Sequence, residues 1–88
     1  MDDVKTTVVI GEELDEQLRA RLVHVLKAIG AVRVKHERGI GGSQELETMT
    51  VKIGELELVI ESETYVGMTL TGPKSLLDEV IRKLATAR

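Results

Sequence analysis

The sequence contains no cysteine, no phenylalanine and no tryptophan, and it has a single tyrosine and a single proline. Without cysteine it has no disulfide framework, no thiolate nucleophile and no cysteine-based zinc site. Its longest apolar runs, such as Val8-Val9-Ile10, are far shorter than the roughly 20 residues that cross a bilayer. The acidic start Met1-Asp2-Asp3 differs from the basic start of a secretory signal. We therefore expect a cytoplasmic protein in a reducing compartment that does not enter a membrane.

The chain has 88 residues, of which 42% are hydrophobic and 31% are charged. These values predict one globular α/β domain over residues 1–88 rather than a disordered chain. Because the core must be built almost without aromatic side chains, extra burial through self-association would add stability. The net charge of −3 argues against binding a nucleic-acid backbone with the whole surface.

The first third of the chain changes from the period of a strand to that of a helix. Val4, Thr6, Val8 and Ile10 alternate with less apolar residues, which predicts a strand that stops at Gly11. From Glu12 onward a helical period begins, and Gly30 is the expected C-terminal stop. The helix is predicted to bury one stripe, formed by Leu14, Leu18, Leu22, Val25, Leu26 and Ile29.

Residues 31–38 alternate again and predict a second strand, with Val32, Val34 and His36 facing the core. A strand, a helix and a strand joined by short connections predict a right-handed crossover with parallel strands. Residues 39–43 interrupt the pattern as a glycine-rich loop. Further alternation predicts a hairpin that turns at Gly54 and a fifth strand that includes Tyr65.

Gly72-Pro73 is expected to open the last helix, because proline suits the first helical position. The predicted fold is an α+β two-layer sandwich of order β-α-β-β-β-β-α. Its sheet is predicted to be mixed, and both helices are predicted to cover one face.

The opposite, open face of this sheet is the candidate partner surface. It would carry basic residues of the second strand and glutamates of the fourth, which could pair across strands or across a dimer. The residues expected to contact a protein partner or a second copy are Arg33, Lys35, Glu57 and Tyr65. A small non-enzymatic binding module, for example an inhibitor or immunity-type protein, would fit this description. A solvated face without a partner is the alternative.

The glycine-rich loop supports a second hypothesis, which is nucleic-acid or phosphate-ligand binding. Glycines allow backbone N–H groups to approach an anion, and a basic side chain lies beside them. The residues concerned are Arg38, Gly39, Gly41 and Gly42. The segment lacks the lysine and the hydroxyl residue of a P-loop, so its glycines could equally serve turn geometry.

No residue pattern predicts a catalytic or metal site. His24 and His36 have neither histidine neighbours nor the spacing of metal ligands, and the serines lack a nucleophile motif. The glutamates of residues 55–63 alternate along an exposed strand, where no enclosed site would separate their pKa values. We therefore expect no cofactor, no metal and no enzymatic activity.

Overall fold

A computed structural model describes residues 4–12, 15–41 and 44–86 of the chain. The element order β-α-β-β-β-β-α is as predicted, and the chain forms one small α+β domain. The elements are β1 (Lys5–Gly11), α1 (Glu16–Ala28), β2 (Val32–Gly41), β3 (Gln44–Ile53), β4 (Leu56–Glu63), β5 (Gly67–Pro73) and α2 (Lys74–Thr86).

The five strands form one sheet in the order β1-β5-β4-β3-β2, and every neighbouring pair is antiparallel. The prediction of a mixed sheet is therefore wrong. The crossover through α1 does leave β1 and β2 running in the same direction, but it carries β2 to the opposite edge. Each later strand pairs in antiparallel orientation with its sequence neighbour, so β3, β4 and β5 fill the space between them.

Helix α1 begins later than predicted, because Asp15 is its N-cap. The Asp15 carboxylate accepts a hydrogen bond from the Leu18 N–H at 2.9 Å, which satisfies a donor of the first turn. The predicted stop at Gly30 is confirmed. Gly30 has φ +82°, and the N–H groups of Gly30 and Ala31 donate to the carbonyls of Lys27 and Leu26, as in a Schellman motif. Leu14 of the predicted stripe lies outside the described residues.

The core is a single cluster in which both helices pack with alternate residues of the central strands. We call the sheet face that carries Val51, Leu58 and Leu70 the core face and its opposite the outer face. The buried hydrophobic residues are Leu18, Leu22, Val25, Leu26, Val51, Leu58, Ile60, Met68, Leu70, Leu76, Leu77, Val80 and Leu84. None of the side chains of residues 32–39 in β2 is buried, although the alternation predicted a core-facing stripe there.

Two connections differ from the sequence prediction. The glycine-rich segment is mostly strand rather than loop, because Gly39 and Gly41 pair with Leu46 and Gln44 in the β2–β3 hairpin. Tyr65 lies in the turn between β4 and β5 with φ +74°, and β5 begins only at Gly67. The predicted turn at Gly54 is confirmed, with φ +64° at this glycine.

Candidate functional site

Strand β2 forms an edge of the sheet and is the most exposed strand of the structure. It pairs with β3 on one side, and no described strand pairs with its other side. Val32 and Val34 are 64% and 55% exposed, which is unusual for two neighbouring apolar positions of one strand. An edge of this kind presents backbone N–H and C=O groups that another chain can use.

A β-bulge between Arg33 and Lys35 sets which side chains of β2 share a face. Lys35 and Glu37 lie opposite Thr50 and Thr48 and belong to the outer face. Beyond the bulge the alternation shifts by one residue. Arg33 lies opposite Val51 on the core face, and the predicted position of Arg33 on the outer face is therefore wrong.

The bulge also affects the three residues of this strand that were predicted to face the core, of which Val34 is the inserted residue and has no partner in β3. Val32 lies opposite Lys52 on the outer face, contrary to the prediction, whereas His36 lies opposite Met49 on the core face as predicted. A single inserted residue reverses the alternation along the rest of a strand, and a simple period-two pattern does not reveal it.

The outer face is polar and rich in threonine. The hydroxyls of Thr7 and Thr71 lie 2.7 Å apart on neighbouring strands, within hydrogen-bond distance. Lys52 lies opposite Glu57 on this face. Strand β3 separates β2 from β4, so the basic residues of β2 do not meet the glutamates of β4 within one sheet.

The four residues predicted to contact a partner therefore do not form one patch. Lys35 and Glu57 share the outer face, and Arg33 lies on the core face at the edge. Tyr65 is 79% exposed in the β4–β5 turn. Its neighbour Thr64 donates its N–H to the carbonyl of Glu45, which places this turn beside the start of β3.

The strongest polar cluster in the described residues surrounds Glu47 of β3. Its carboxylate accepts hydrogen bonds from Arg19 of α1 at 2.7 Å and from Arg38 of β2 at 3.0 Å. The Nε2 atom of His36 lies 3.0 Å from the same carboxylate. The cluster thus connects α1 with both strands of the β2–β3 hairpin, and it fixes the hairpin relative to the helix.

The electrostatics of Glu47 follow from these partners. The hydrogen bonds from Arg19, followed by those of His36 and Arg38, lower the pKa of Glu47 from the ordinary value of 4.5 to about 2. Burial of the carboxylate opposes this change but does not cancel it, and the Glu47 side chain is 16% exposed. The group therefore stays ionised at any physiological pH.

This arrangement disfavours the anion-binding hypothesis. The guanidinium of Arg38 is already paired with Glu47, and Gly39 and Gly41 lie in a paired hairpin rather than in an open loop. Gly42 lies outside the described residues. The groove beside the cluster contains more acidic than basic side chains, and its lining is Glu16, Arg19, Arg38, Glu45, Leu46, Glu47, Ser62 and Thr64.

Glu47 and Arg19 were not among the residues predicted from the sequence, although the sequence carried a signal for one of their contacts. If β2 had been extended to Gly41 and paired there with Gln44, Arg38 would have been placed directly opposite Glu47. The contact with Arg19 depends on how α1 crosses the sheet, which local periodicity does not specify.

The described residues contain no group of three or more histidine, aspartate or glutamate side chains that could hold a metal ion. Neither helix, over its described residues, combines the length and apolar character required to cross a membrane. The sequence matches no protein-family model, and neither the curated proteins nor the solved structures provide a significant match.

Proposed function

We propose that this chain is a small protein-binding module that accepts a strand of its partner along the outer edge of β2. The observation that carries this proposal is the exposure of β2 throughout residues 32–39, including two valines, on a strand that is paired along one side only. In strand addition the main-chain hydrogen bonds provide affinity, and alternate side chains provide specificity.

The other edge of the sheet is less suited to this role. In β1, Thr6, Val8 and Ile10 are partly buried, and the last two pack against the core. An added strand beside β1 would find Val8 and Ile10 already partly covered and one exposed valine within the strand, Val9, at 62%. Beside β2, Val32 and Val34 would lose exposed apolar surface to the partner.

The Glu47 cluster supports the same proposal by keeping β2 in place. Because β2 contributes none of its described side chains to the buried core, its position depends on its pairing with β3 and on polar contacts. Arg38 and His36 anchor it through Glu47 to Arg19 of α1. An edge that is held rigid loses less conformational entropy when a partner strand binds.

In this proposal the module binds its partner without catalysing a reaction. The contact surface begins at the edge of β2 and continues onto the outer face of the sheet. With both helices on the core face, the partner can extend from β2 across the polar side chains of β3. The Glu47 and His36 pair has a structural role here, because two arginines neutralise the carboxylate.

Site-specific photocrosslinking tests this function. The chain has no cysteine, so Val34→Cys provides a single attachment point for a benzophenone maleimide. Val23→Cys on α1 is the matched control, because it replaces the same residue type at a position that is 41% exposed. Both labelled proteins are irradiated in an extract of the source cells, and the adducts are identified by mass spectrometry.

We expect one discrete protein adduct from position 34 that is absent from position 23. Equal labelling from both positions, or no adduct from position 34, would contradict the proposed function. Unlabelled protein in excess should compete with an adduct to a different protein, whereas an adduct to a second copy of this chain should persist, because the unlabelled protein can itself be that copy. Random labelling should not change.

A further inference from the structure

We propose that the strand accepted by β2 is the β2 strand of a second copy, in antiparallel orientation about a two-fold axis at His36. The two sheets would then form one continuous sheet across the dimer. This inference rests on the proposed function of the β2 edge, and it identifies the partner.

The geometry of a symmetric edge contact limits the possible registers. Two antiparallel copies of one edge strand in a continuous sheet are related by a two-fold axis perpendicular to that sheet. Directly opposed residues of the two copies must therefore lie on the same face of the sheet, so their residue numbers differ by zero or by an even number. The axis then passes between one residue and the same residue of the other copy, and not between two consecutive positions of the strand. Each candidate register is defined by the residue at its centre.

Charge selects among the registers centred on residues 35, 36 and 37. With His36 at the centre, Lys35 of each copy lies opposite Glu37 of the other, and all four side chains are on the outer face. With Lys35 at the centre, two lysines oppose each other. With Glu37 at the centre, two glutamates oppose each other. Like charges directly opposite each other destabilise a pair of strands, and opposite charges stabilise it.

Because of the bulge, Arg33 of one copy cannot neutralise Glu37 of the other. In an unbroken strand Arg33 would share the face of Glu37, and a register centred on Lys35 would pair these two residues across the dimer. The structure places Arg33 opposite Val51 on the core face, so it is not available to Glu37 on the outer face. Lys35 is the basic residue of β2 that remains on that face.

Lys35 and Glu37 already form an ion pair within one copy, and both side chains are free enough to pair with the second copy as well. Within one copy their side chains lie 3.2 Å apart, and each side chain is 63% exposed. In the dimer they would join the equivalent pair in a square of alternating charges.

The bulge and the charges of β2 are also features that protect sheet edges from indiscriminate pairing. They are compatible with self-association, because the alternating charges disfavour the registers centred on Lys35 and on Glu37 while they permit the register centred on His36. Edge pairing alone buries less surface than a standard protein interface, so we expect a dimer that dissociates on dilution.

Sedimentation equilibrium over a range of concentrations tests this inference with charge variants. Lys35→Glu and Glu37→Lys each place two pairs of like charges across the interface, because the two-fold axis repeats every change. The double variant Lys35→Glu/Glu37→Lys restores opposite charges in reversed positions. Lys5→Glu makes the same charge change as Lys35→Glu at the other edge of the sheet and is the matched control.

We expect each single reversal at β2 to weaken dimerisation about tenfold or more, since two like-charge contacts arise together. The double variant and Lys5→Glu should dimerise like the original chain. Thermal unfolding of each variant shows whether the monomer remains folded.

A chain that is monomeric at every concentration would overturn the inference, and so would a dimer that is unaffected by both single reversals. The photocrosslinking result at position 34 then separates the two proposals. An adduct with a different protein preserves the edge function and overturns the self-pairing, whereas the absence of a specific adduct overturns both.

Discussion

Replacement of Glu47 by glutamine should destabilise the protein in a pH-dependent manner. The change removes the charge that holds Arg19 and Arg38 but keeps the size of the side chain. Two arginines would then face each other without a counter-charge at the junction of α1 with the hairpin. We therefore expect a loss of stability at neutral pH and a weaker attachment of β2.

The magnitude follows from the pKa of Glu47. A decrease from 4.5 to about 2 corresponds to about 3 kcal/mol of stability at 1.36 kcal/mol per pKa unit. The side chains of Arg19 and Arg38 are 43% and 66% exposed, so solvent weakens both ion pairs. We expect Glu47→Gln to cost about 1–2 kcal/mol at neutral pH after this reduction.

The sign of the pH dependence is fixed by the direction of the shift. Because the pKa of Glu47 is lowered in the folded state, its contribution is fully present above pH 4.5 and is lost as the pH falls towards 2. The difference in unfolding free energy between the original chain and Glu47→Gln should therefore shrink over this interval. Below it, the two proteins should be equally stable.

Urea unfolding followed by circular dichroism at several pH values measures this difference. Glu55→Gln is the matched control, because it makes the same substitution at an exposed position in the β3–β4 turn. A Glu47→Gln variant with the same stability as the Glu55→Gln control at neutral pH would refute the assigned role of the cluster. A difference that persists unchanged at pH 2 would refute its electrostatic origin.

Three further substitutions test the fold. Gly67→Ala should destabilise the protein by roughly 2 kcal/mol or more, because Gly67 has φ +106° and an added Cβ would lie 2.5 Å from the carbonyl oxygen of Gly11. Gly39→Ala is its control, since a Cβ there meets no atom within 4 Å; chemical denaturation compares them. Gly30→Ala should cost about 1 kcal/mol through the left-handed conformation alone, which the shift of the thermal midpoint measures. Leu22→Asp places a carboxylate at a core position that is 3% exposed, so circular dichroism should show an unfolded chain.

The elements of this fold could be predicted from the sequence because each has a local signal. The period of α1, the positive-φ glycines at positions 30 and 54, and the alternation in β3 and β4 all depend on residues close in the chain. The strand order could not be derived in this way. The crossover rule correctly gave β1 and β2 the same direction, but three sequential hairpins placed other strands between them.

The candidate site was harder to predict because it depends on register. The bulge at Val34 places Arg33 on the core face. No residue type in β2 predicts this insertion. The position of Tyr65 also differed, since its φ of +74° ends the alternation two residues before β5 begins. The Glu47 cluster joins residues from three elements, of which α1 is distant in sequence.

Disulfide formation by single-cysteine variants tests the central claim, the pairing of two β2 edges, most directly. Directly opposed residues of antiparallel strands have Cα atoms about 4.5–5.5 Å apart, within reach of a disulfide, whereas diagonal neighbours lie about 7–8 Å apart. We therefore predict that His36→Cys forms a covalent dimer under mild oxidation, and that Lys35→Cys and Glu37→Cys form far less. Equal or faster crosslinking at position 35 or 37, or no crosslinking at position 36, would contradict the account.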